Sequence, residues 1–292
     1  MSDDQEEVSY HNPDALVSVE WVAEHLDDPD VRLIEVDEDT SAYEEGHIPG
    51  AVAWDWSVDL HHPVERDYIG RDGFSYLLSS VGVTEDTTVV LYGGNNNWFA
   101  AYAYWLLKYR GYDSVKLMDG GRKKWEADGR EMVTEVPSFE KTHFKIQGTD
   151  RPELRAMRDH VLESLDSATF VDVRSPAEYS GEKLAPDHLP QEQPYVGGHV
   201  PGAKNVPWSK AANEDGTFKS AAELQEIYEE EADISGRDET IAYCRIGERS
   251  SHTWFVLKYL LGFDNVKNYD GSWTEWGNLV GVPIEKGEPE DS

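Results

Sequence analysis

Cysteine, positive charge and long apolar runs are all scarce in this sequence. Its 292 residues include one cysteine, Cys244, which excludes an intrachain disulfide and a zinc or iron–sulfur site built from cysteines. Lysine and arginine number 26 against 58 acidic residues, a formal charge of −32, whereas nucleic acids and anionic membranes require basic patches. No run approaches the roughly eighteen apolar residues of a membrane span, and the acidic N-terminus lacks a signal peptide's features. We therefore expect a soluble, cytoplasmic protein with no nucleic-acid or membrane partner.

The acidic residues are spread along the whole chain, and hydrophobic residues make up 39% of it, with Trp 10 and Tyr 15. This content is sufficient for packed cores. A dispersed acidic surface with few lysines stays hydrated at high salt, so the composition predicts a halophile's protein. An ordinary acidic protein of a mesophile is the alternative.

The chain repeats itself with an offset of about 151 residues. Trp125 aligns with Trp276, and the Gly-His-Ile-Pro-Gly-Ala turn that begins at Gly46 matches the Gly-His-Val-Pro-Gly-Ala turn that begins at Gly198. A period of this length is too long for a solenoid unit and fits two whole domains. We predict domains at 12–136 and 153–284, joined by a polar linker at 137–152.

Each copy alternates short apolar strands with helices, a pattern typical of an α/β fold. The predicted elements are strands at 31–36, 88–92, 115–118, 169–173, 240–243 and 266–269, with helices at 98–109 and 250–261. Such alternation predicts two α/β domains, each a mostly parallel sheet with helices on both faces. The second copy also carries a proline-rich insert at 182–195. We interpret the insert as a flap over a neighbouring site, although a solvated excursion is the alternative.

Cys244 lies where parallel sheets bind ligands, directly after the strand predicted at 240–243 and before the helix predicted from Ser250. Free backbone amides at the helix start, together with the helix dipole, would form an anion cradle. Arg245 and Arg249 add positive charge in the same segment. These features predict a lowered pKa and a thiolate at neutral pH.

Two further residues of this segment have local interpretations. Gly247 allows the backbone to turn its amides toward the sulfur, because it has no Cβ. Ser250 is interpreted as the N-cap of the helix, with a hydroxyl that donates to the sulfur or to a ligand as the alternative. His252 lies too close in sequence to fold back onto Cys244, and a thiolate that is already ionised needs no base.

The first copy serves as an internal comparison for this segment. At an offset of 151 residues, Gly93 aligns with Cys244, and Trp98 aligns with Arg249. The nucleophile and the cation are thus lost together, which a merely buried cysteine would not explain. We predict that the first domain is catalytically silent.

Four motifs together carry a resemblance to a known family. They are the duplicated Gly-His-x-Pro-Gly-Ala turns, Asp-Val-Arg-Ser-Pro-x-Glu-Tyr from Asp172, Cys-Arg-Ile-Gly-Glu-Arg-Ser from Cys244 and Asn-Tyr-Asp-Gly-Ser-Trp from Asn268. The chain resembles a tandem-domain rhodanese, a thiosulfate sulfurtransferase. The resemblance implies that Cys244 takes the outer sulfur of thiosulfate, that sulfite leaves, and that the persulfide passes its sulfur to cyanide or a thiol acceptor. It implies no metal and no organic cofactor.

The resemblance also implies which residues form the site. Cys244 is the expected nucleophile, and the substrate-binding residues are expected to be Arg245, Ile246, Gly247, Glu248, Arg249 and Ser250. Asp172 and Arg174 are possible supporting residues that orient this segment or bind substrate. An internal ion pair between the two is the alternative.

Three other functions are alternatives to thiosulfate sulfurtransfer. Cysteine phosphatases and arsenate reductases place one residue more between cysteine and arginine than the four found here, so they are disfavoured. The 3-mercaptopyruvate sulfurtransferases carry a less charged segment, and two arginines favour an inorganic dianion. However, Ile246 and Glu178 stand where animal thiosulfate enzymes have basic residues, so 3-mercaptopyruvate stays an alternative donor. A persulfide carrier or regulatory module without turnover is the third possibility.

Overall fold

The computed structural model describes residues 9–186 and 193–287, and the chain divides into two compact domains. The first comprises Asp14–Arg155 with Ala212–Thr217, and the second comprises residues 9–13, Ala156–Ala211 and 218–287. Within the described ranges, no helix is long and apolar enough to cross a bilayer.

The first domain is built on a sheet of five parallel strands in the order β1-β5-β4-β2-β3. Its strands are β1 (Leu16–Val17), β2 (Val31–Glu35), β3 (Val52–Ala53), β4 (Thr88–Tyr92) and β5 (Val115–Met118). Its helices are α1 (Val19–Glu24), α2 (Ala42–Glu45), α3 (Arg71–Ser80), α4 (Trp98–Tyr109) and α5 (Gly121–Ala127).

The second domain has a sheet of four parallel strands in the order β7-β6-β8-β9. Its strands are β6 (Thr169–Asp172), β7 (Lys204–Asn205), β8 (Thr240–Tyr243) and β9 (Val266–Tyr269). Its helices are α6 (Arg158–Glu163), α7 (Pro176–Ser180), α8 (Ala221–Gln225), α9 (Glu248–Phe255) and α10 (Ser272–Trp276). Helix α8 continues into a π-helical turn at Glu226–Glu231, and α9 into another at Val256–Leu260. The predicted fold class, two α/β domains with parallel sheets, is confirmed.

The central strands are buried on both faces. All residues of β8 are buried, as are all but the first of β4. Because successive side chains of a strand point to opposite faces, such continuous burial requires cover on both sides of the sheet. The core of the second domain includes Phe170, Ile241, Tyr243, Tyr269, Trp273 and Trp276.

The repeat detected in the sequence is also a repeat in space. Glu35 pairs with Tyr92 in the first sheet, and Asp172 pairs with Tyr243 in the second. Each tyrosine hydroxyl accepts a hydrogen bond from the amide after the histidine of the Gly-His-x-Pro-Gly-Ala turn, at 3.2 Å in the first domain and 3.1 Å in the second. The tyrosines therefore fix the same turn at the same place in both domains.

Two segments with predicted roles fall outside these elements. Residues 137–151 contain no helix or strand, and Ile146 is buried, its amide donating to Ser75 Oγ at 3.0 Å. The predicted boundaries, 12–136 and 153–284 with a linker at 137–152, stay a prediction. Of the insert at 182–195, residues 187–192 lie outside the described residues, so its interpretation as a flap also stays a prediction.

Candidate active site

Cys244 directly follows β8, which lies between β6 and β9 in the second sheet. Residues 244–250, here the Cys244 loop, lead from the strand into α9. Helix α9 begins at Glu248 with Gly247 as its N-cap residue, two positions earlier than predicted. The interpretation of Ser250 as the N-cap is therefore wrong, because Ser250 already lies within the first turn of the helix.

The early helix start brings donors to the sulfur of Cys244. The Gly247 amide donates to Sγ at 3.2 Å, and the backbone amide of Ser250 also favours the thiolate. Gly247 has a φ of +98°, and a Cβ at this position would lie 2.8 Å from the Asp270 Cα. Only glycine fits there without strain, so the predicted role of Gly247 in the turn agrees with the geometry.

The Cys244 thiol donates a hydrogen bond to a carboxylate. Its Sγ lies 3.3 Å from Glu248 Oε2, and both side chains are buried. Burial raises the pKa of Cys244, and the charge of Glu248 raises it further, against the opposing effects of Arg249 and Ser250. The prediction of a lowered pKa is therefore wrong, because it considered the cations and amides of the loop but neither desolvation nor Glu248.

Arg249 is held by an ion pair within the second domain. Its terminal nitrogens donate to both carboxylate oxygens of Glu178 at 2.9 and 3.0 Å, and its Nε lies 3.7 Å from Glu248 Oε1. Burial acts to raise the pKa of Glu178, but the hydrogen bonds and charge of Arg249 lower it to about 2. In the structure Arg249 therefore anchors the loop to α7, and its expected role in substrate binding stays a prediction.

Charged side chains of both signs lie in and beside the Cys244 loop. The cations are Arg245, which is buried, and Arg249, and the anions are Glu178 and Glu248. Burial lowers the pKa of Arg245, against the opposing charge of Glu248. The sequence indicated a loop dominated by positive charge, but the carboxylates of Glu178 and Glu248 lie beside the guanidinium group of Arg249.

The backbone of the Cys244 loop is buried against the start of α10. Ile246 is partly buried, and the other loop residues are buried. The carbonyls of Cys244 and Arg245 accept hydrogen bonds from the amides of Trp273 and Thr274 at 3.1 and 3.0 Å. The start of α10 thus fixes the backbone that carries the nucleophile.

Asp172 and Arg174 form a fully buried ion pair. The Arg174 Nε donates to Asp172 Oδ1 at 2.9 Å, and its terminal nitrogen donates to the Gly198 carbonyl at 2.7 Å. The first domain has a matching pair, since Arg122 donates to Glu35 at 2.9 Å and also to the Gly46 carbonyl. Arg122 comes from α5 and not from the position of Arg174, but a carboxylate at the same place also has a guanidinium partner in the domain without a cysteine. This agrees with the alternative that the pair supports the fold.

Two residues that the sequence reasoning did not assign complete the site. Asn268 accepts a hydrogen bond from Ser250 Oγ at 2.6 Å and donates to the Gly247 carbonyl at 3.0 Å. Ser272 Oγ accepts from the Cys244 amide at 3.0 Å and donates to the Tyr269 carbonyl at 2.6 Å. Both residues belong to the Asn-Tyr-Asp-Gly-Ser-Trp motif that begins at Asn268. In the sequence this motif indicated the family but not a role for either residue.

In the first domain, side chains of the domain itself fill the equivalent loop. Asn97 Oδ1 accepts from the Gly93 amide at 2.9 Å, and Asp37 accepts from the Gly94 amide at 2.6 Å. A Cβ at Gly93 would lie 2.3 Å from the Val36 carbonyl oxygen. This loop has neither the space for a cysteine nor amides directed at one, which agrees with the prediction of a silent domain.

Three buried histidines, His47, His199 and His252, are packed against aromatic rings. His47 stacks on Tyr43 at 3.7 Å between ring centroids, and His199 stacks on Tyr179 at 3.6 Å. His252 stacks on a phenylalanine ring at 4.8 Å, and burial lowers its pKa to about 3. Across the described ranges, no group of three or more His, Cys, Asp or Glu residues is arranged to hold a metal ion.

Comparison with known proteins gives full-length matches. The model of the rhodanese-like domain matches residues 18–128 and 155–279. A provisionally named thiosulfate sulfurtransferase of Saccharopolyspora erythraea is 59% identical over 93% of this chain and 96% of its own length. The sulfur carrier protein TtuD of Thermus thermophilus is 54% identical over 96% of this chain and 100% of its own length. A provisionally named thiosulfate sulfurtransferase of Haloferax volcanii is 52% identical over 94% and 97%.

Solved structures show the same fold. The 3-mercaptopyruvate sulfurtransferase SseA of Escherichia coli superimposes with a TM-score of 0.75 at 28% identity, over 89% of this chain and 98% of that chain. A persulfide form of EanB with ergothioneine superimposes with a TM-score of 0.83 at 26% identity, over 96% of this chain and 72% of that chain. Both halves of the chain match the family model, and the chain belongs to the rhodanese family.

Proposed function

We propose that this chain is a sulfurtransferase that moves the outer sulfur of thiosulfate through a Cys244 persulfide to cyanide or another thiophilic acceptor, with release of sulfite. One observation carries the proposal. The chain's single cysteine lies at the carboxyl end of a central parallel strand, and the Gly247 amide donates to its sulfur at 3.2 Å. A sulfur held in this way can act as a nucleophile and can then bear a second sulfur atom.

The geometry supports each half of the reaction. In the first half, Cys244 Sγ bonds to the outer sulfur of thiosulfate, and the bond between the two thiosulfate sulfurs breaks, with its electrons leaving on sulfite. In the second half, cyanide bonds to the outer persulfide sulfur, and thiocyanate leaves as the cysteine sulfur recovers its electrons. The backbone amides of Gly247 and Ser250 stabilise negative charge on the sulfur throughout.

Support for thiosulfate as the donor comes mainly from the relatives. The Saccharopolyspora and Haloferax proteins are provisionally named for this donor, and they align over almost their whole length. Because Glu178 and Glu248 offset the two arginines, local charge by itself favours a dianion less than the sequence indicated. Likeness to the E. coli enzyme keeps 3-mercaptopyruvate as the second candidate.

A donor comparison tests the proposal. Thiocyanate formation is measured for wild type and Cys244→Ser with thiosulfate or 3-mercaptopyruvate as the donor and cyanide as the acceptor. We expect a larger kcat/KM for thiosulfate with wild type and no turnover with Cys244→Ser. A larger value for 3-mercaptopyruvate would overturn the donor, and turnover by the serine variant would overturn the nucleophile.

A persulfide carrier is the third candidate, favoured by the relative that is named a sulfur carrier protein. Such a protein would accept sulfur at Cys244 but would release it slowly to cyanide. Persulfide that forms without matching thiocyanate production would favour the carrier.

A further inference from the structure

Glu248 is the acidic residue in hydrogen-bond contact with the nucleophile. Its Oε2 accepts the Cys244 thiol at 3.3 Å, its side chain is 1% exposed, and Cys244 is fully buried. Glu248 is the first residue of α9, so the fold that presents the Gly247 amide to the sulfur also brings this carboxylate to it.

We propose that Glu248 is the base that takes the thiol proton of Cys244, holds it while the persulfide exists and returns it when the sulfur is transferred. This inference rests on the proposed function and adds a catalytic residue to it. It assigns Glu248 a role in proton transfer, whereas the sequence suggested only a contribution to substrate binding.

The proton follows a closed cycle. The S–H bond of Cys244 breaks and an O–H bond forms at Glu248 Oε2, leaving the thiolate that attacks thiosulfate. Sulfite departs with the electron pair of the broken S–S bond, so neither an oxidant nor a reductant is required. When the acceptor removes the outer sulfur, the cysteine sulfur leaves as a thiolate and takes the proton back from Glu248.

The other charged groups near the sulfur are unsuited to this task. Arg245 and Arg249 are cations with no proton-accepting capacity at neutral pH. Glu178 is held by Arg249 and by the hydroxyl and amide of Ser175 at 2.9 and 3.1 Å. On the strand side, Asn268 and Ser272 are neutral and hold the loop backbone.

A base is needed because the sulfur is buried. Desolvation raises the pKa of Cys244, so the spontaneous thiolate fraction at neutral pH is small. Proton transfer to Glu248 moves the negative charge from the carboxylate to the sulfur and leaves the total charge of the site unchanged. Arg249, whose Nε lies 3.7 Å from Glu248 Oε1, remains close to the negative charge throughout.

The alternative role for Glu248 is a passive negative neighbour, and it predicts an effect of opposite sign. If Glu248 only opposes ionisation of the thiol, Glu248→Gln lowers the pKa of Cys244 and accelerates persulfide formation at neutral pH. If Glu248 is the base, the same substitution slows persulfide formation. The sign of the change therefore separates the two roles.

Single-turnover kinetics provide the test. The purified full chain is mixed with excess thiosulfate, and the gain of one sulfur atom is followed by rapid quenching and intact mass measurement from pH 5.5 to 9.5, a range of about four units around neutrality. The variants are Glu248→Gln, Glu248→Ala and the isosteric control Glu163→Gln, whose side chain is exposed.

For Glu248→Gln we expect a rate lower by about 10² to 10⁴-fold at pH 7, the usual contribution of a positioned base, with recovery as pH rises. We expect formate to accelerate Glu248→Ala and the control to match wild type. A rate of persulfide formation for Glu248→Gln equal to or above that of wild type would overturn the inference. A rate for Glu248→Ala that changes with neither formate nor pH would overturn it as well. If wild type itself gains no sulfur, the proposed function fails instead.

Discussion

Arg249 of the Cys244 loop donates to both carboxylate oxygens of Glu178, 71 residues earlier in the chain, at 2.9 and 3.0 Å, and both side chains are buried. The pair joins α9 to α7 within the second domain. Arg249 is one of the two arginines that indicated anion binding in the sequence, and in the structure it makes a contact that stabilises the fold. Loss of either partner would remove the bidentate contact that compensates the buried charge of the other.

Glu178→Ala should therefore be strongly destabilising. Removing one partner of a buried ion pair costs about 3–5 kcal/mol, and we expect that decrease in the free energy of unfolding by urea titration at pH 7. Glu163→Gln, at an exposed position, serves as the control and should change it by less than about 0.5 kcal/mol. A decrease below about 1 kcal/mol for Glu178→Ala would contradict the pairing.

The contribution of Glu178 also has a defined pH dependence. Its pKa is about 2 in the folded protein against an ordinary value of 4.5, so the unfolded state binds the proton first as pH falls. The stabilisation is fully present above the unfolded value and is lost as pH drops through the folded one. The stability difference between wild type and Glu178→Ala should thus shrink between about pH 5 and pH 2.

His252 gives a separate signature at higher pH. Burial lowers its pKa from 6.5 to about 3, so below the ordinary value the unfolded chain binds a proton that the folded chain does not. The stability of wild type should fall by up to about 1.4 kcal/mol per pH unit below pH 6.5 from this residue alone.

His252→Phe should remove this dependence, because the ring already stacks on Phe218 and needs no charge. Urea titrations at pH 7.5, 6 and 5 compare it with wild type and with His143→Phe, which alters an exposed histidine. Parallel pH profiles for wild type and His252→Phe would contradict the buried neutral state.

Ser272 combines a strained backbone with a hydrogen bond to the nucleophile. It has a φ of +51°, which a non-glycine residue adopts at a cost of about 1–3 kcal/mol, and its hydroxyl accepts the Cys244 amide. Ser272→Ala keeps the strain and loses the bond, whereas Ser272→Gly loses both. We expect both variants to form persulfide more slowly, with Ser272→Gly more stable in urea than Ser272→Ala by about 1 kcal/mol. Equal rates for both variants and wild type would contradict a role for this contact.

The charge of −32 predicts that salt stabilises the protein. Repulsion between carboxylates is screened at separations beyond about 10 Å in 0.1 M salt and beyond about 3 Å in 1 M salt. The thermal unfolding midpoint should therefore rise between low and molar KCl, as expected of a halophile's protein. A midpoint that does not change on dilution of salt would count against the halophilic interpretation.

The strands and the repeat were predictable because they depend on local patterns. The short apolar runs place β4, β5, β8 and β9 at the observed residues, and strands 31–36 and 169–173 end one residue earlier than expected. Continuous burial of such runs leaves little freedom in their boundaries. The offset that aligned Cys244 with Gly93 also relates the ends of β4 and β8, and it relates β5 to β9.

The electrostatics of the site were not predictable in the same way. The pairing of Glu178 with Arg249 depends on a contact between distant segments, and no spacing rule indicates it. Glu248 was within the predicted site, but its effect depends on the direction of its side chain and on the burial of the sulfur. The early start of α9 was missed for a related reason, since its N-cap residue is Gly247, which has a φ of +98° and offers no capping side chain.

Transfer of one sulfur atom through Cys244 is the central claim, and intact mass measurement with a chase tests it most directly. Wild type and Cys244→Ser are loaded with thiosulfate, freed of excess donor and then treated with cyanide. The account predicts that wild type alone gains the mass of one sulfur and loses it on addition of cyanide, with an equal amount of thiocyanate formed. No mass gain on wild type, or the same gain on Cys244→Ser, would contradict it.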